Sequence, residues 1–186
     1  TMKFIFKLSI AILMTFSFHS CGKEEKKISL IKAVNQDQEM IVTYKEALDS
    51  LKRGDPYYAS QKFLESEMLF PQSDWAPKSA LMAAYSYYVQ DFYAESIFHL
   101  ERYLDTYPND SRSSYGHYLL AMSHYEKIVG EKNDLKPLIE ANNKFQYIID
   151  TYPNTDFALD SKFKIDLINE IIASKEMYIA RYYVKE

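Results

Sequence analysis

Residues 41–186 predict an all-α protein, antiparallel helix hairpins stacked into a right-handed superhelix. Three observations carry that prediction. Glycine and proline are scarce, four and six among 186 residues, which favours long helices over a turn-rich β fold. Apolar residues recur at i, i+3, i+4 and i+7, the spacing of one helix face, as in Tyr44, Ala47, Leu48 and Leu51. A small residue, a large apolar residue and a proline then recur in fixed register three times.

The N-terminal segment reads differently. Lys3 and Lys7 form a short positive region, and Leu8–Phe18 is apolar apart from Ser9, Thr15 and Ser17. It is too short for a transmembrane helix and fits the hydrophobic region of a secretory signal peptide. Phe18-His19-Ser20 precedes Cys21, the single cysteine, in an order that resembles the bacterial lipoprotein box. That resemblance implies cleavage after Ser20 and a diacylglycerol on Cys21, hence a lipid anchor. A lone cysteine also excludes an internal disulfide framework. Gly22-Lys23-Glu24-Glu25-Lys26-Lys27 has no apolar residue to bury and predicts a flexible tether, with residues 1–27 lacking tertiary contacts. Residue 22 is not the aspartate that retains enteric lipoproteins at the inner membrane, so the expected place is the periplasmic face of the outer membrane. The organisation expected is a signal peptide over 1–20, the lipidated cysteine and tether over 21–38, and a repeat domain over 39–186.

The repeat domain is read from its punctuation. Phe70-Pro71, Tyr107-Pro108 and Tyr152-Pro153 each close a helical pattern, the prolines 37 and 45 residues apart. Twelve residues before them stand Ala59, Ser96 and Ala141; eight before them stand Phe63, Leu100 and Phe145. The small residue lets two helices cross closely, and the large one fills the neighbouring groove. The proline stops the helix, because it lacks a donor and clashes with the preceding turn. Hairpins are therefore expected near 41–71, 77–108 and 113–153, with a loop insertion at Gly130-Glu131-Lys132-Asn133-Asp134. In the first hairpin Gly54 reads as a left-handed C-cap, and Asp55-Pro56 as the cap and first residue of the next helix. Each hairpin alone leaves an apolar face wet, so the units must stack. The skeleton resembles the tetratricopeptide repeat, a helix-turn-helix of about 34 residues, without its usual tryptophan and glycine in the first helix.

Beyond Pro153, Asn154-Thr155-Asp156 can cap a further helix with Ala158, Ile165, Ile168 and Ile172 on one face. Met177, Tyr178, Ala180, Arg181, Tyr182 and Tyr183 look like the first helix of a fourth unit whose partner is absent. The pattern thus predicts three full repeats plus an incomplete fourth, and a C-terminally truncated chain with an uncovered apolar face at its end.

A lipobox, a charged tether and Tyr44-Lys45-Glu46-Ala47 opening the first repeat resemble the BamD family, the lipoprotein subunits of the β-barrel assembly machinery. So do Tyr93-Ala94-Glu95-Ser96-Ile97, Arg102-Tyr103-Leu104-Asp105-Thr106-Tyr107-Pro108, Phe145-Gln146-Tyr147-Ile148-Ile149-Asp150-Thr151-Tyr152-Pro153-Asn154 and Lys175–Tyr183. The resemblance implies a non-catalytic subunit that assists folding and insertion of outer-membrane proteins. It implies partners too: unfolded outer-membrane proteins received by the N-terminal repeats, a BamA-type barrel subunit docked by the C-terminal ones, other Bam lipoproteins, and the outer membrane through the lipid anchor.

Seventeen tyrosines suit a groove for an extended peptide, since a tyrosine combines apolar area with a polar tip. The candidate groove residues are Tyr44, Tyr58, Phe70, Trp75, Tyr85 and Tyr88; for any one of them, packing between helices is the competing reading. The net charge of −4 and the lack of a basic stripe speak against a nucleic-acid partner. His99, His117 and His124 have no cysteine or acidic pair to complete a metal site. No phosphate loop or nucleophile motif occurs, so neither catalysis nor a cofactor is expected. The rival reading is a repeat lipoprotein scaffolding peptidoglycan or secretion machinery; the insertion in the third unit and Lys175–Tyr183 favour the assembly subunit.

Overall fold

The computed structural model describes residues 25–130 and 136–184, and the described residues form seven helices: α1 (Glu25–Lys52), α2 (Pro56–Leu69), α3 (Trp75–Tyr88), α4 (Tyr93–Thr106), α5 (Ser113–Gly130), α6 (Lys136–Thr151) and α7 (Asp156–Val184). Two compact units divide the chain, Thr1–Gln38 and Glu39–Glu186. In the first unit the backbone is helical from Glu25, within the span 21–38 where a tether is expected. Nothing between Glu25 and Gln38 is glycine or proline, and glutamate, lysine, leucine and alanine are strong helix formers. The signal peptide over 1–20 and Cys21 lie outside the described residues. So does most of the expected insertion loop, since α5 continues through Gly130.

The second unit follows the expected punctuation. Gly54 has φ +82; its N–H bonds the Leu51 carbonyl at 3.1 Å and the Asp55 N–H bonds the Ser50 carbonyl at 3.0 Å. That paired closure satisfies carbonyls the helix end would leave open. The Asp55 carboxylate then accepts from the Tyr58 N–H at 3.1 Å, a cap of a kind whose loss costs about 1 kcal/mol. The same turn recurs around Asp91, at φ 63: its N–H bonds the Tyr88 carbonyl at 3.0 Å and the Phe92 N–H bonds Tyr87 at 3.1 Å. Phe70 (φ −147) and Tyr107 (φ −125) leave the helical region at the ends of α2 and α4, because a residue before proline is pushed into extended backbone.

Each hairpin carries a core. Ala59 and Phe63, Ser96 and Leu100, and Ala141 and Phe145 are all fully buried, as the repeat register requires. Removing a buried phenylalanine side chain costs about 3–5 kcal/mol, through transfer energy and the cavity left behind. Serines occupy many closest crossings: Ser66 and Ser79 lie 3.1 Å apart, Oγ to Oγ, and so do Ser96 and Ser123. Buried Ser86, Ser123 and Ser161 donate to carbonyls one turn back on their own helices, so little polarity is left open. Gly116 serves a different crossing: a Cβ there would meet Tyr103 Cε1 at 2.7 Å.

Consecutive helices pack on one another, and the first helices of neighbouring hairpins also meet, α3 on α5 and α5 on α7. The second helices α2, α4 and α6 show no comparable backbone approach among the described residues. A stack that crowds on one side curves towards it, so the first helices line the inner face. The segments expected as separate helical patterns around 158–172 and 177–183 form one helix, α7. That corrects the start of the fourth unit from Met177 to Asp156, since nothing after Pro153 can stop the helix. Ala158, Ser161 and Ile168 are buried, whereas Met177, Tyr178, Tyr182 and Tyr183 are exposed.

Candidate functional site: an aromatic inner face

The inner face is built by tyrosines spaced three apart on adjacent first helices. Tyr85 and Tyr88 on α3, with Tyr115 on α5, pack half-buried against the core of the second hairpin. Tyr118 on α5 stacks on Phe157 of α7 at 5.1 Å between ring centroids, and Tyr115 reaches the same ring at 5.7 Å. Tyr93, at the start of α4, meets Tyr88 edge-on at 5.7 Å. Helical spacing of three puts successive rings on one face, and the contact between α3 and α5 brings the two pairs together. Burial, and then the nearby Tyr85 and Tyr88 hydroxyls, push the Tyr115 phenol up to about 12. Burial raises Tyr88 as well, followed by Glu126, and Tyr118 by burial and then its 2.6 Å hydrogen bond to Asp160. Tyr88 and Tyr115 thus stay protonated at neutral pH and each offers apolar area plus a neutral donor, whereas the Tyr118 hydroxyl is spent on Asp160 and that ring offers its apolar face.

The sequence candidates divide. Tyr85 and Tyr88 belong to this face; Tyr115, Tyr118 and Phe157 join it and were missed. The signal for them was the same tyrosine spacing on α5, Tyr115 and Tyr118, that marked α3. Trp75 is half-buried at the α1–α3 contact, with the Lys78 ammonium 4.6 Å over its ring. Tyr44 is only 3% exposed and sits edge-on between Phe63 and Trp75, each at 5.1 Å, so it is core packing rather than groove. Tyr58 is exposed on α2 but its hydroxyl is committed to Glu46 at 2.6 Å. Phe70 is the half-buried residue ending α2, and the structure does not bring it to the other aromatics.

Two clefts lie elsewhere. One, of about 450 Å³, is bordered by α2 and α4. Glu67 lies in it, 6% exposed, and both its oxygens are taken by Arg102 at 2.8 and 2.6 Å, with the Tyr107 hydroxyl at 2.9 Å. The other, of about 430 Å³, lies between α5 and α6 and holds His117, Lys144 and Glu140. His99, His117 and His124 are all held below the ordinary imidazole value, by burial first and then by Arg102 at His99 and Lys144 at the other two. No group of metal ligands occurs among the described residues. None of the described helices is long and apolar enough to cross a membrane.

Comparison with known proteins agrees with this architecture. A family model described as YfiO, outer membrane lipoprotein, matches residues 36–186. Outer membrane protein assembly factor BamD of Caulobacter vibrioides is 34% identical over 175 residues, covering 94% of this chain and 56% of that protein. The BamD of Rickettsia prowazekii is 32% identical over 143 residues, covering 77% of this chain and 57% of its own length. That of Neisseria meningitidis serogroup A is 27% identical over 189 residues, 96% of this chain and 70% of the relative. The chain thus spans little more than half the length of the first two.

Proposed function

This chain belongs to the YfiO family of outer membrane lipoproteins, and from that premise we propose that it is a non-catalytic subunit of a β-barrel assembly machinery. Its task in this reading is to bind unfolded outer-membrane proteins and to pass them to a BamA-type barrel subunit, beside other Bam lipoproteins. The relatives' name, outer membrane protein assembly factor, supports the role. Cys21, lipidated, anchors the chain to the periplasmic face of the outer membrane in this reading. The single observation that carries the binding step is the inner face: Tyr85, Tyr88, Tyr115, Tyr118 and Phe157, drawn from three first helices.

An unfolded outer-membrane strand alternates aromatic or apolar side chains with polar ones. Stacked rings take the former, and protonated phenols can bond an extended backbone that has no partner of its own. No charge needs to be desolvated, which keeps the interaction tolerant of sequence. A fluorescence-anisotropy titration with a urea-unfolded outer-membrane protein tests it. Tyr88→Ala with Tyr115→Ala should weaken binding at least about tenfold, the size of two lost aromatic contacts. Unchanged affinity in a folded double variant refutes the assignment of the inner face.

A further inference from the structure

The α5–α6 cleft carries a different chemistry. It is lined by His117, Leu120, Glu140, Asn143, Lys144 and Tyr147. Glu140 and Lys144 are one turn apart on α6, the spacing at which such residues usually pair. Here they do not, and among the described residues Lys144 makes no ion pair at all. Asn143 has no hydrogen-bond partner among them either. The His117 ring is packed against Tyr147 at 4.7 Å and Tyr152 at 5.9 Å, which fixes it at the rim. His124, two turns further along the same face of α5, has a buried Nε2 with no partner. Lys144 stands near both imidazoles and depresses the basicity of each; Glu140 opposes it and Lys127 adds to it at His124. The cleft thus gathers an ammonium, a primary amide and the His117 imidazole, for which the described residues supply no hydrogen-bond or ion-pair partner. That is unlike the α2–α4 cleft, where every charge is paired.

We propose that the α5–α6 cleft is a docking site for a carboxylate side chain of a partner protein, with Lys144 supplying the charge and Asn143 and His117 the hydrogen bonds. A carboxylate fits better than a phosphate. The cleft has a single ammonium, Lys144, and Glu140 repels any entering anion in proportion to its charge, so a monoanion is opposed less than a phosphate dianion. Leu120 and Tyr147 offer apolar wall to the methylenes of an entering aspartate or glutamate. The site shares no residue with the aromatic inner face, so either can fail without the other.

The probe is sodium acetate, titrated at pH 6.5 into the full chain at constant ionic strength held with chloride, while NMR follows the imidazole signals. Acetate should shift the His117 signal saturably and raise its pKa, because a bound anion offsets the positive field of Lys144. His99, on α4, should not respond. Lys144→Gln should abolish the response, whereas Lys127→Gln should keep it. A linear, non-saturating shift, or an equal one in the folded Lys144→Gln protein, overturns the site. A tighter response to inorganic phosphate than to acetate overturns its assignment to carboxylates.

Discussion

The cleft between α2 and α4 and the cleft between α5 and α6 have similar volumes, about 450 and about 430 Å³, yet their charges are disposed oppositely. In the first, a carboxylate 8% exposed receives both arms of a guanidinium and a phenol. In the second, an ammonium and an amide face the gap without partners. A repeat architecture leaves gaps both between hairpins, as between α2 and α4, and within one, as between α5 and α6. What fills a gap decides whether it is mortar between units or a place for something else.

The two clefts should differ most in what their charged side chains contribute to stability. Arg102→Ala leaves the Glu67 carboxylate buried with only Tyr107, and should lower the unfolding free energy by about 2–4 kcal/mol. Lys144→Ala should cost less than about 0.5 kcal/mol, as a side chain without partners does. Urea denaturation of both variants decides it; equal losses would mean that the second cleft is structural too.

Gly116 on α5 crosses closely over Tyr103 on α4. Tyr103 is fully buried and its hydroxyl is tied to Asp110 at 2.7 Å, so the ring cannot swing away from an added methyl. Gly116→Ala should destabilise by about 1–3 kcal/mol through overpacking, read as a lower thermal midpoint. A neutral result would show the α4–α5 contact to be looser than the structure has it.

The histidines give a smaller, pH-dependent effect. Their folded pKa values lie below the unfolded value of about 6.5, so the folded state binds fewer protons. Their contribution is present above pH of about 6.5 and is lost as pH falls through the folded values. Asp110, held at about 2 chiefly by Arg112, contributes above a pH of about 4 and loses that contribution only as pH falls towards 2. Denaturation midpoints should therefore decline first below pH of about 6.5. Replacing all three histidines by glutamine should remove that first decline and leave the acid one.

The smallest effect is a gain. Asp91 holds the left-handed conformation that Gly54 holds in the first hairpin, so Asp91→Gly should stabilise by about 0.5 kcal/mol, the relief of backbone strain less the glycine's greater unfolded freedom. A loss would mean that the Asp91–Tyr93 hydrogen bond, 2.8 Å, outweighs the strain.

What was legible in the sequence is what local rules determine. The prolines, Gly54, Asp55-Pro56 and the residues Ala59–Phe63 and Ala141–Phe145 act within one turn or one hairpin, and the structure puts them where the pattern does. Asp91 escaped because aspartate is not diagnostic of a positive φ. Gly116 escaped because its reason, the Tyr103 ring, sits on another helix. Glu67 and Arg102 stand 35 residues apart, and no spacing rule links them. Tyr44 and Tyr88 read alike in sequence; only the stacking of α1 on α2 and α3 puts one in the core and leaves the other on the inner face. Residues 25–38 take helix in the structure because, although Lys23–Lys27 carry no apolar side chain, nothing there breaks a helix.

In the proposed function the face lined by first helices, and not the outside of the stack, receives an unfolded chain. The direct measurement is photo-crosslinking with benzoylphenylalanine placed at Tyr88, at Tyr115 or at Phe98, which is 62% exposed on the second helix α4. With an unfolded outer-membrane protein present, adducts should form from positions 88 and 115 and hardly at all from 98. Equal yields at all three positions, or adducts from 98 alone, would contradict that assignment.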